Sequence, residues 1–253
     1  MLLAIDIGNT HTVFAAFEGA EIVHVWRLQS DKNQTADEFA ALLAPLLSAQ
    51  SLSFGDFSDV IIGSVVPGLG LAMRTLCEIY IKTKPIIVSH ETAGIDVALD
   101  LPDEVGADRL VNARAVTEHY SAPAIVIDFG TATTFDVINA EGAYKGGVIA
   151  PGINLSLEAL SRAASKLPKI SIQKPDQATG NSTVSAMQSG AYWGYIGLIE
   201  KILEKLTGEI DGAPTIIATG GLAKTFIGDL PMIKTIDQEL TLKGLYTIYK
   251  SRT

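Results

Sequence analysis

The chain of 253 residues is long enough to bury one large α/β core or two smaller ones, and its 47% hydrophobic and 19% charged content indicates a globular protein. The formal net charge of −9, without any run of lysine and arginine, disfavours sequence-independent binding to nucleic acid. A single cysteine, Cys77, excludes a disulfide framework or a cysteine metal cage, and we expect it to be a core thiol without chemistry.

The amino-terminal half gives no sign of a membrane or secretion segment. Its longest uncharged stretch, Val60 to Met73, is too short to cross a bilayer and is interrupted by glycine and proline. Asp6 comes so early that no room is left for the apolar region of a signal peptide. We therefore expect a cytoplasmic protein with no membrane partner.

The first predicted element is a strand that ends in Asp6-Ile7-Gly8. Small and hydroxyl residues follow, and Val13 to Phe17 is again β-prone, so the pattern predicts a hairpin. An aspartate and a glycine after a strand can form an ordinary turn and nothing more. Alternatively, the glycine lets backbone N–H groups approach a phosphate closely while the aspartate faces a cation.

Strands and helices then alternate through the first half in the order β-β-β-α-β-α-β. The predicted elements are a strand at Glu21 to Leu28, a helix from Thr35 to Ser48 with acids in its first turn, a buried strand at Ser58 to Ser64, a helix from Leu71 to Lys82 and a buried strand at Pro85 to Ser89.

Asp108 lies just before a helical run from Leu110 to His119 and has two interpretations. One is a helix N-cap, a purely structural role. The other is a functional carboxylate at a helix N-terminus that accepts a hydroxyl proton, beside the Arg109 guanidinium, which can bind a carboxylate or a phosphate. The residues alone leave both open.

The second half repeats the plan of the first. A strand from Ala124 ends in Asp128-Phe129-Gly130, with aspartate and glycine at the same offset as in the first turn. The further predicted elements are strands at Thr134 to Asn139, near Tyr144 to Ile149 and at Pro214 to Thr219, and helices at about Asn154 to Ala164 and Val184 to Leu206.

This repetition at a spacing of about 120 residues indicates a duplicated domain. We predict a domain of residues 1–120 and a domain of residues 121–253, with the seam at Ser121-Ala122-Pro123. If the turns after Asp6 and Asp128 face each other, they can clamp a nucleotide.

Six motifs, in order, span nearly the whole chain and together resemble type III pantothenate kinase. They are Asp6-Ile7-Gly8-Asn9-Thr10, Gly106-Ala107-Asp108-Arg109, Asp128-Phe129-Gly130-Thr131-Ala132-Thr133-Thr134, Gly147-Val148-Ile149-Ala150-Pro151-Gly152, Met187-Gln188-Ser189-Gly190 and Thr219-Gly220-Gly221. The resemblance implies an α/β fold of two duplicated ribonuclease-H-like domains, the actin-like ATPase fold that acetate and sugar kinases share with heat-shock proteins and actin. It also implies that the nucleotide binds in the cleft between the domains.

The resemblance implies ATP-dependent phosphorylation of pantothenate to 4′-phosphopantothenate, the first step of coenzyme A biosynthesis, with Mg²⁺ and a monovalent cation, K⁺ or NH₄⁺. The residues implied at the ATP phosphates are Asp6 (through Mg²⁺), Ile7, Gly8, Asn9, Thr10, His11, Thr12, Val13 and Thr131. Asp128 is implied at K⁺. The residues implied at pantothenate are Gly106, Ala107, Asp108 as proton acceptor, Arg109 near the carboxylate, and Thr183.

One position departs from the resemblance: Leu99 stands where the family usually has a tyrosine, so we expect the wall of the pantothenate site to differ.

Two other functions stay open. The fold also suits a kinase or phosphatase for another small molecule, although Arg109 beside Asp108 favours an acidic, hydroxylated substrate. A non-enzymatic, nucleotide-binding regulator is the other alternative, and the presence of every candidate catalytic carboxylate disfavours it.

The long helix predicted after Thr183 favours a homodimer. Its aromatic residues and glycines suit close packing against another surface, although an ordinary core helix can carry the same residues. They are Tyr192, Trp193 and Tyr195, with Gly190, Gly194 and Gly197. Because the chain has no obvious lid over a small substrate, we expect Thr183 of the other subunit to complete the pantothenate site.

Overall fold

The computed structural model describes residues 1–252 and divides into two compact units. Unit 1 contains Met1–His119 and the residues from Glu239 onward, and unit 2 contains Tyr120–Gln238. Each unit is built on a mixed sheet of five strands. Among residues 1–252, no helix combines the length and the apolar character that a bilayer span requires.

Unit 1 begins with three antiparallel strands and continues with alternating helices and strands. Its elements are β1 (Leu2–Ile7), β2 (His11–Glu18), β3 (Glu21–Gln29), α1 (Ala36–Ser48), β4 (Asp59–Ser64), α2 (Pro67–Leu76), β5 (Ile86–Ile87) and α3 (Ala107–His119). The sheet order is β3-β2-β1-β4-β5, with β1 antiparallel to β2 and parallel to β4. The carboxyl ends of β1 and β4 therefore meet at one edge of the sheet.

Alternation along β1 divides the unit 1 core into two layers. Leu3, Ile5 and Ile7 are fully buried in a cluster with residues of α1 and α2. Leu2 and Ala4 point to the opposite face and pack in a cluster with residues of α3. The period of two along the strand thus places a helical layer on each face of the sheet.

Two helices of unit 1 follow directly from local chemistry. The N-cap of α1 is Thr35: its hydroxyl accepts the Glu38 N–H, and the Glu38 carboxylate accepts the Thr35 N–H at 2.8 Å, which confirms the predicted helix start. Helix α2 begins earlier than predicted because Pro67 suits its first turn, and a π-helical turn continues it from Cys77 to Ile81. Burial raises the pKa of the Cys77 thiol to about 12, in agreement with a core role.

Unit 2 repeats the strand connectivity of unit 1. Its elements are β6 (Ala124–Phe129), β7 (Ala132–Ile138), β8 (Tyr144–Pro151), α4 (Ile153–Ala163), α5 (Thr183–Gly208), β9 (Thr215–Thr219), α6 (Ala223–Phe226) and β10 (Thr235–Ile236). The sheet order β8-β7-β6-β9-β10 corresponds strand by strand to the order in unit 1. The duplicated plan predicted from the two aspartate turns is therefore present in the fold.

A last helix, α7 (Leu240–Lys250), belongs to unit 1, whereas the sequence division placed these residues in the second domain. It packs against α3, and Leu245 and Ile248 are fully buried in the same cluster as Val111. The two helices approach so closely that a Cβ at Gly244 would lie 2.7 Å from Val111 Cγ1 and in contact with the Val111 carbonyl oxygen. This packing is non-local, and nothing in the local pattern indicates it.

Candidate active site

The first aspartate turn closes the β1–β2 hairpin. Asp6 is paired with Val13 on β2 and with Gly63 on β4. The Gly8 N–H donates to the His11 carbonyl oxygen at 3.0 Å, and a Cβ at Gly8 would lie only 3.2 Å from that oxygen. A glycine therefore suits this tight turn.

The eight residues of the first turn that are predicted at the ATP phosphates, Asp6 to Val13, do not share one environment. The side chains of Asn9, Thr10 and His11 are exposed at the turn, whereas Ile7 is fully buried in the core cluster. Thr12 is also fully buried, and its hydroxyl hydrogen-bonds the Ser30 hydroxyl at 2.9 Å. The exposed part of the turn is thus limited to residues 9–11.

Asp108 lies inside the first turn of α3, so the N-cap interpretation is wrong. The helix begins at Ala107, and the N–H groups of Arg109 and Leu110 donate to the Gly106 carbonyl oxygen at 3.1 and 3.2 Å. Asp108 Oδ1 instead accepts the Arg109 N–H at 2.8 Å. A Cβ at Gly106 would lie 2.6 Å from that Oδ1, so the glycine leaves room for the carboxylate.

Burial is the largest influence on the Asp108 carboxyl group and raises its pKa above the ordinary value. The hydrogen bond from the Arg109 N–H and the Arg109 charge act in the opposite direction but do not outweigh burial. Asp108 is therefore a better proton acceptor than an exposed aspartate, which is what a general base requires.

The segment after β4 links the Asp6 turn to the start of α3. The Val65 N–H donates to the Ile7 carbonyl oxygen at 3.1 Å, and Val65 Cγ1 lies 3.5 Å from where a Gly106 Cβ would be. Asp6 and Asp108 are thus brought to the same edge of the unit 1 sheet. The sequence pattern predicts the end of the strand at Ser64 but contains no signal that Val65 packs at this site.

The second aspartate turn has an equivalent place in unit 2. Asp128 is paired with Thr134 on β7 and with Thr219 on β9. Gly220 adopts a φ of +88°, and a Cβ there would lie 2.5 Å from Asp128 Oδ1. A glycine is required on both counts, because the carboxylate lies directly against the backbone that follows β9.

Thr131 lies in a tight connection between β6 and β7. The Gly130 N–H donates to the Ala132 carbonyl oxygen at 3.1 Å. The Thr131 carbonyl oxygen accepts the Gly152 N–H at 3.1 Å, and a Cβ at Gly152 would lie 2.6 Å from the Gly130 carbonyl oxygen. The glycine-rich segment before α4 therefore packs against the second turn and supports its backbone.

The aspartate turns each supply one carboxylate, Asp6 or Asp128, from a hairpin. Within residues 1–252, no three His, Cys, Asp or Glu side chains are grouped closely enough to form a metal cage. Mg²⁺ in kinases is commonly held by only one or two carboxylates together with waters and substrate phosphates. The donor set at Asp6 therefore fits a Mg²⁺ shared with a nucleotide, and the carboxylate at Asp128 fits a second hard cation.

Thr183 is the first residue of α5 and is exposed. The preceding Ser182 is the N-cap, and its hydroxyl accepts the Ser185 N–H at 3.2 Å. Gly180 packs so tightly that a Cβ there would lie 2.5 Å from Ala186 Cα. The helix start that carries Thr183 is therefore well defined.

The aromatic residues of α5 do not all lie on one surface. Tyr192 and Tyr195 are buried and pack on Phe226, with ring centroids 5.3 and 4.7 Å apart, so their assignment to a subunit interface is wrong. Trp193 is 37% exposed. Gly190, Gly194 and Gly197 face open space, with no atom within 4 Å of an added Cβ.

Solved structures with low sequence identity share the fold. The activator of the 2-hydroxyisocaproyl-CoA dehydratase from Clostridium difficile, with bound ADPNP, has a TM-score of 0.58 at 14% identity, covering 99% of this chain and 95% of that one. Component A of the (R)-2-hydroxyglutaryl-CoA dehydratase from Acidaminococcus fermentans has a TM-score of 0.54 at 13% identity, covering 100% and 99%. With the matching sheets, these similarities confirm the predicted fold of two ribonuclease-H-like domains.

Curated relatives are much closer in sequence. Type III pantothenate kinase of Paramagnetospirillum magneticum is 50% identical over 252 residues, which cover 99% of this chain and 97% of the relative. The enzyme of the same description from Rhodospirillum rubrum is 49% identical over 252 residues, covering 99% and 98%. The family model of type III pantothenate kinase matches residues 2–205. The chain therefore belongs to the type III pantothenate kinase family.

Proposed function

We propose that this chain transfers the terminal phosphoryl group of ATP to the 4′-hydroxyl of pantothenate, with Asp108 as the proton acceptor. The environment of the Asp108 carboxyl group carries the assignment of the base. Burial raises the pKa of this group, and its Oδ1 accepts a hydrogen bond from the Arg109 backbone N–H. Family membership supports the reaction and the substrate.

Asp108 acts on the hydroxyl that is phosphorylated. Its carboxylate orients the 4′-hydroxyl and takes the proton as the new oxygen–phosphorus bond forms. Phosphoryl transfer has a loose transition state, so the base is needed mainly for orientation and for late removal of the proton. The hydrogen bond of 2.8 Å from the Arg109 backbone nitrogen to Oδ1 restricts the orientation of the carboxylate, which favours this positioning role.

Arg109 supplies the charge that selects an acidic substrate. It is half-buried in the first turn of α3, beside Asp108. A guanidinium presents a planar set of donors that matches a carboxylate. We assign it to the pantothenate carboxylate, with Gly106 and Ala107 lining the same site and Leu99 in place of the family's usual tyrosine.

The two aspartate turns serve the nucleotide and its cations. The backbone of residues 8–11 binds phosphate oxygens, while Ile7 and Thr12 contribute only backbone atoms because their side chains are buried. Asp6 would hold Mg²⁺, which would supply positive charge to the phosphate oxygens of the nucleotide. Thr131 contacts phosphate from the second turn, and Asp128 holds K⁺ or NH₄⁺. The ADPNP in a related solved structure supports nucleotide binding by this fold.

The working unit that we propose is a homodimer in which Thr183 of the second subunit completes the pantothenate site. The exposure of Thr183 at the start of α5 supports this arrangement. So do the three glycines on the open face of the same helix, since a second backbone can approach such a surface closely.

The test is a coupled assay of ADP release by the purified chain, with pantothenate as the varied substrate. We expect release to depend on pantothenate and to fall by about 10²-fold or more in Asp108→Asn, because general-base catalysis contributes on that order. The matched control is Asp100→Asn, the same chemical change at an exposed site in the same segment, with unchanged release. A folded wild-type chain without pantothenate-dependent release would overturn the proposal.

A further inference from the structure

Unit 2 contains a cavity of about 360 Å³ between strand β8 and the last turns of helix α5. It lies near Gly146, whereas the Gly130–Ala132 turn meets the other end of β8 at Pro151. The cavity is therefore distinct from the second aspartate turn. Its volume is at the lower end of the range of small-molecule pockets, so it suits a small ligand.

A β-bulge opens this cavity. Ile138 is paired with Tyr144 and Val137 with Gly146, so Lys145 is the extra residue. Because Val137 faces the core cluster that includes α5, the bulge places Gly146 on the α5 side as well. Gly146 has no side chain and adopts a φ of +113°, a conformation that favours glycine. Space therefore remains beside Val137, with Lys145 at its edge.

The lining combines an apolar floor with a basic rim. The floor is formed by Val137, Val148, Ile202, Leu206 and Ile210. The charged lining residues are Lys145, Lys201, Lys205 and Glu209. Three cations and one anion give the rim a positive charge, in a chain whose formal net charge is −9.

A structural role accounts for only part of this basic rim. Lys201 and Lys205 lie near the carboxyl end of α5, where cations offset the helix dipole, and Lys201 also donates to Glu204 at 2.7 Å. Lys145 comes from the sheet instead, on the bulge that opens the cavity. Its presence at the same rim is not explained by the helix end.

We propose that this cavity binds a small anionic amphiphile, namely a monocarboxylate with a short hydrocarbon chain. The carboxylate lies among the three lysines, and the hydrocarbon chain covers the apolar floor. The charge complementarity selects an anion, and the floor selects an apolar tail over a free inorganic anion. This inference does not depend on the kinase activity.

Calorimetric titration of the full chain with butanoate, hexanoate and octanoate tests the proposal. We expect each added methylene to tighten binding by about fourfold while it still reaches the floor. Inorganic phosphate, which has no tail, is expected to bind too weakly to measure. Higher salt should weaken octanoate binding, since the lysines are exposed.

Charge reversal locates the site. Lys145→Glu/Lys205→Glu removes two rim cations and is expected to weaken octanoate binding at least tenfold. Lys166→Glu/Lys169→Glu makes the same charge change at exposed positions outside the cavity and should leave the affinity within twofold of wild type. In amide NMR spectra of the wild type, octanoate should shift the Gly146 and Gly147 signals.

The proposal would be overturned by no measurable binding of octanoate, by equal losses of affinity in the two double variants, or by amide shifts confined to residues away from the cavity. An unchanged affinity of Lys145→Glu/Lys205→Glu for octanoate would also contradict the proposal, because the lysines of the rim would then not contribute to anion binding. Since binding is measured directly, a failed kinase assay leaves this test unaffected.

Discussion

Replacing Gly244 with alanine should destabilise the chain strongly, because this residue sets the distance between α3 and α7. The new Cβ would lie 2.7 Å from Val111 Cγ1, 2.9 Å from the Val111 carbonyl carbon and closer still to its oxygen. Non-bonded carbon atoms prefer a separation of roughly 3.5–4.0 Å. Most of this clash is with backbone, so rotation of a side chain cannot relieve it.

The cost can be bounded by comparing two ways of relieving the clash. In the first, α7 moves slightly away from α3. Forcing an extra methyl group into a packed core typically lowers the free energy of unfolding by roughly 1–3 kcal/mol, and we take the upper end of this range. Undocking α7 exposes four apolar side chains, Leu240, Leu242, Leu245 and Ile248. At roughly 1.5–3 kcal/mol each, that response costs about 6–12 kcal/mol, comparable to the net stability of a domain. The smaller displacement therefore dominates.

We accordingly expect the free energy of unfolding to fall by about 3 kcal/mol. For chains of this size, each kcal/mol lowers the Tm by roughly 2–4 °C, so thermal unfolding followed by circular dichroism should show a fall of about 6–12 °C. Gly208→Ala is the control: it lies at the end of α5 with no atom within 4 Å of an added Cβ. Its Tm should stay the same or rise, since alanine favours helix by about 0.5–1 kcal/mol.

A Tm of Gly244→Ala within 2 °C of wild type would refute the close approach of the two helices. A fall of the same size in Gly208→Ala would refute the explanation in another way, because loss of glycine itself, and not contact with Val111, would then be responsible.

Four further predictions concern catalysis. Burial raises the pKa of Asp108, so kcat/KM should fall as the pH drops through that raised pKa. In Asp108→Asn this fall of kcat/KM at acidic pH should be absent. The Tm of Asp108→Asn near neutral pH should not be lower than that of wild type, because the ionised Asp108 carboxylate destabilises the folded state. Asp6→Asn should require more Mg²⁺ for half-maximal rate, and an unchanged titration would reject its role. Activity should require K⁺ or NH₄⁺, with Asp128 as the protein charge at that site; equal rates in Na⁺ would contradict this. Mixing inactive Asp108→Asn and Thr183→Arg chains should restore activity, because a mixed dimer contains one site with both Asp108 and Thr183 intact. If verified mixed dimers stay inactive, the site is not shared between subunits.

Features decided by neighbouring residues could be predicted from the sequence. The hairpins after Asp6 and Asp128 and the capping box of Thr35 and Glu38 depend on contacts only a few residues apart, and all are present in the structure. Repetition of the aspartate turn was the signal for the duplicated fold. It was a reliable signal because each turn ends the central strand of its own sheet.

The errors arise where one pattern permits two structures. A carboxylate at a helix start can cap the helix or lie within its first turn, and the choice at Asp108 depends on Gly106, whose carbonyl oxygen begins the helical hydrogen bonds. Aromatic residues beside glycines can face a partner or the core, and for Tyr192 and Tyr195 the choice depends on the distant Phe226. The place of α7 depends on α3, more than a hundred residues away.

The return of the chain to unit 1 at Glu239 has a consequence for biosynthesis. During translation, unit 2 leaves the ribosome complete before α7 does, so it can fold while the α3 side of unit 1 still lacks its partner helix. Entry and exit of this inserted domain are close together, because the Tyr120 hydroxyl donates to Asp237 Oδ2 at 2.9 Å. A fragment of residues 120–238 is therefore a natural candidate for independent expression, whereas unit 1 would need its two segments rejoined by a linker.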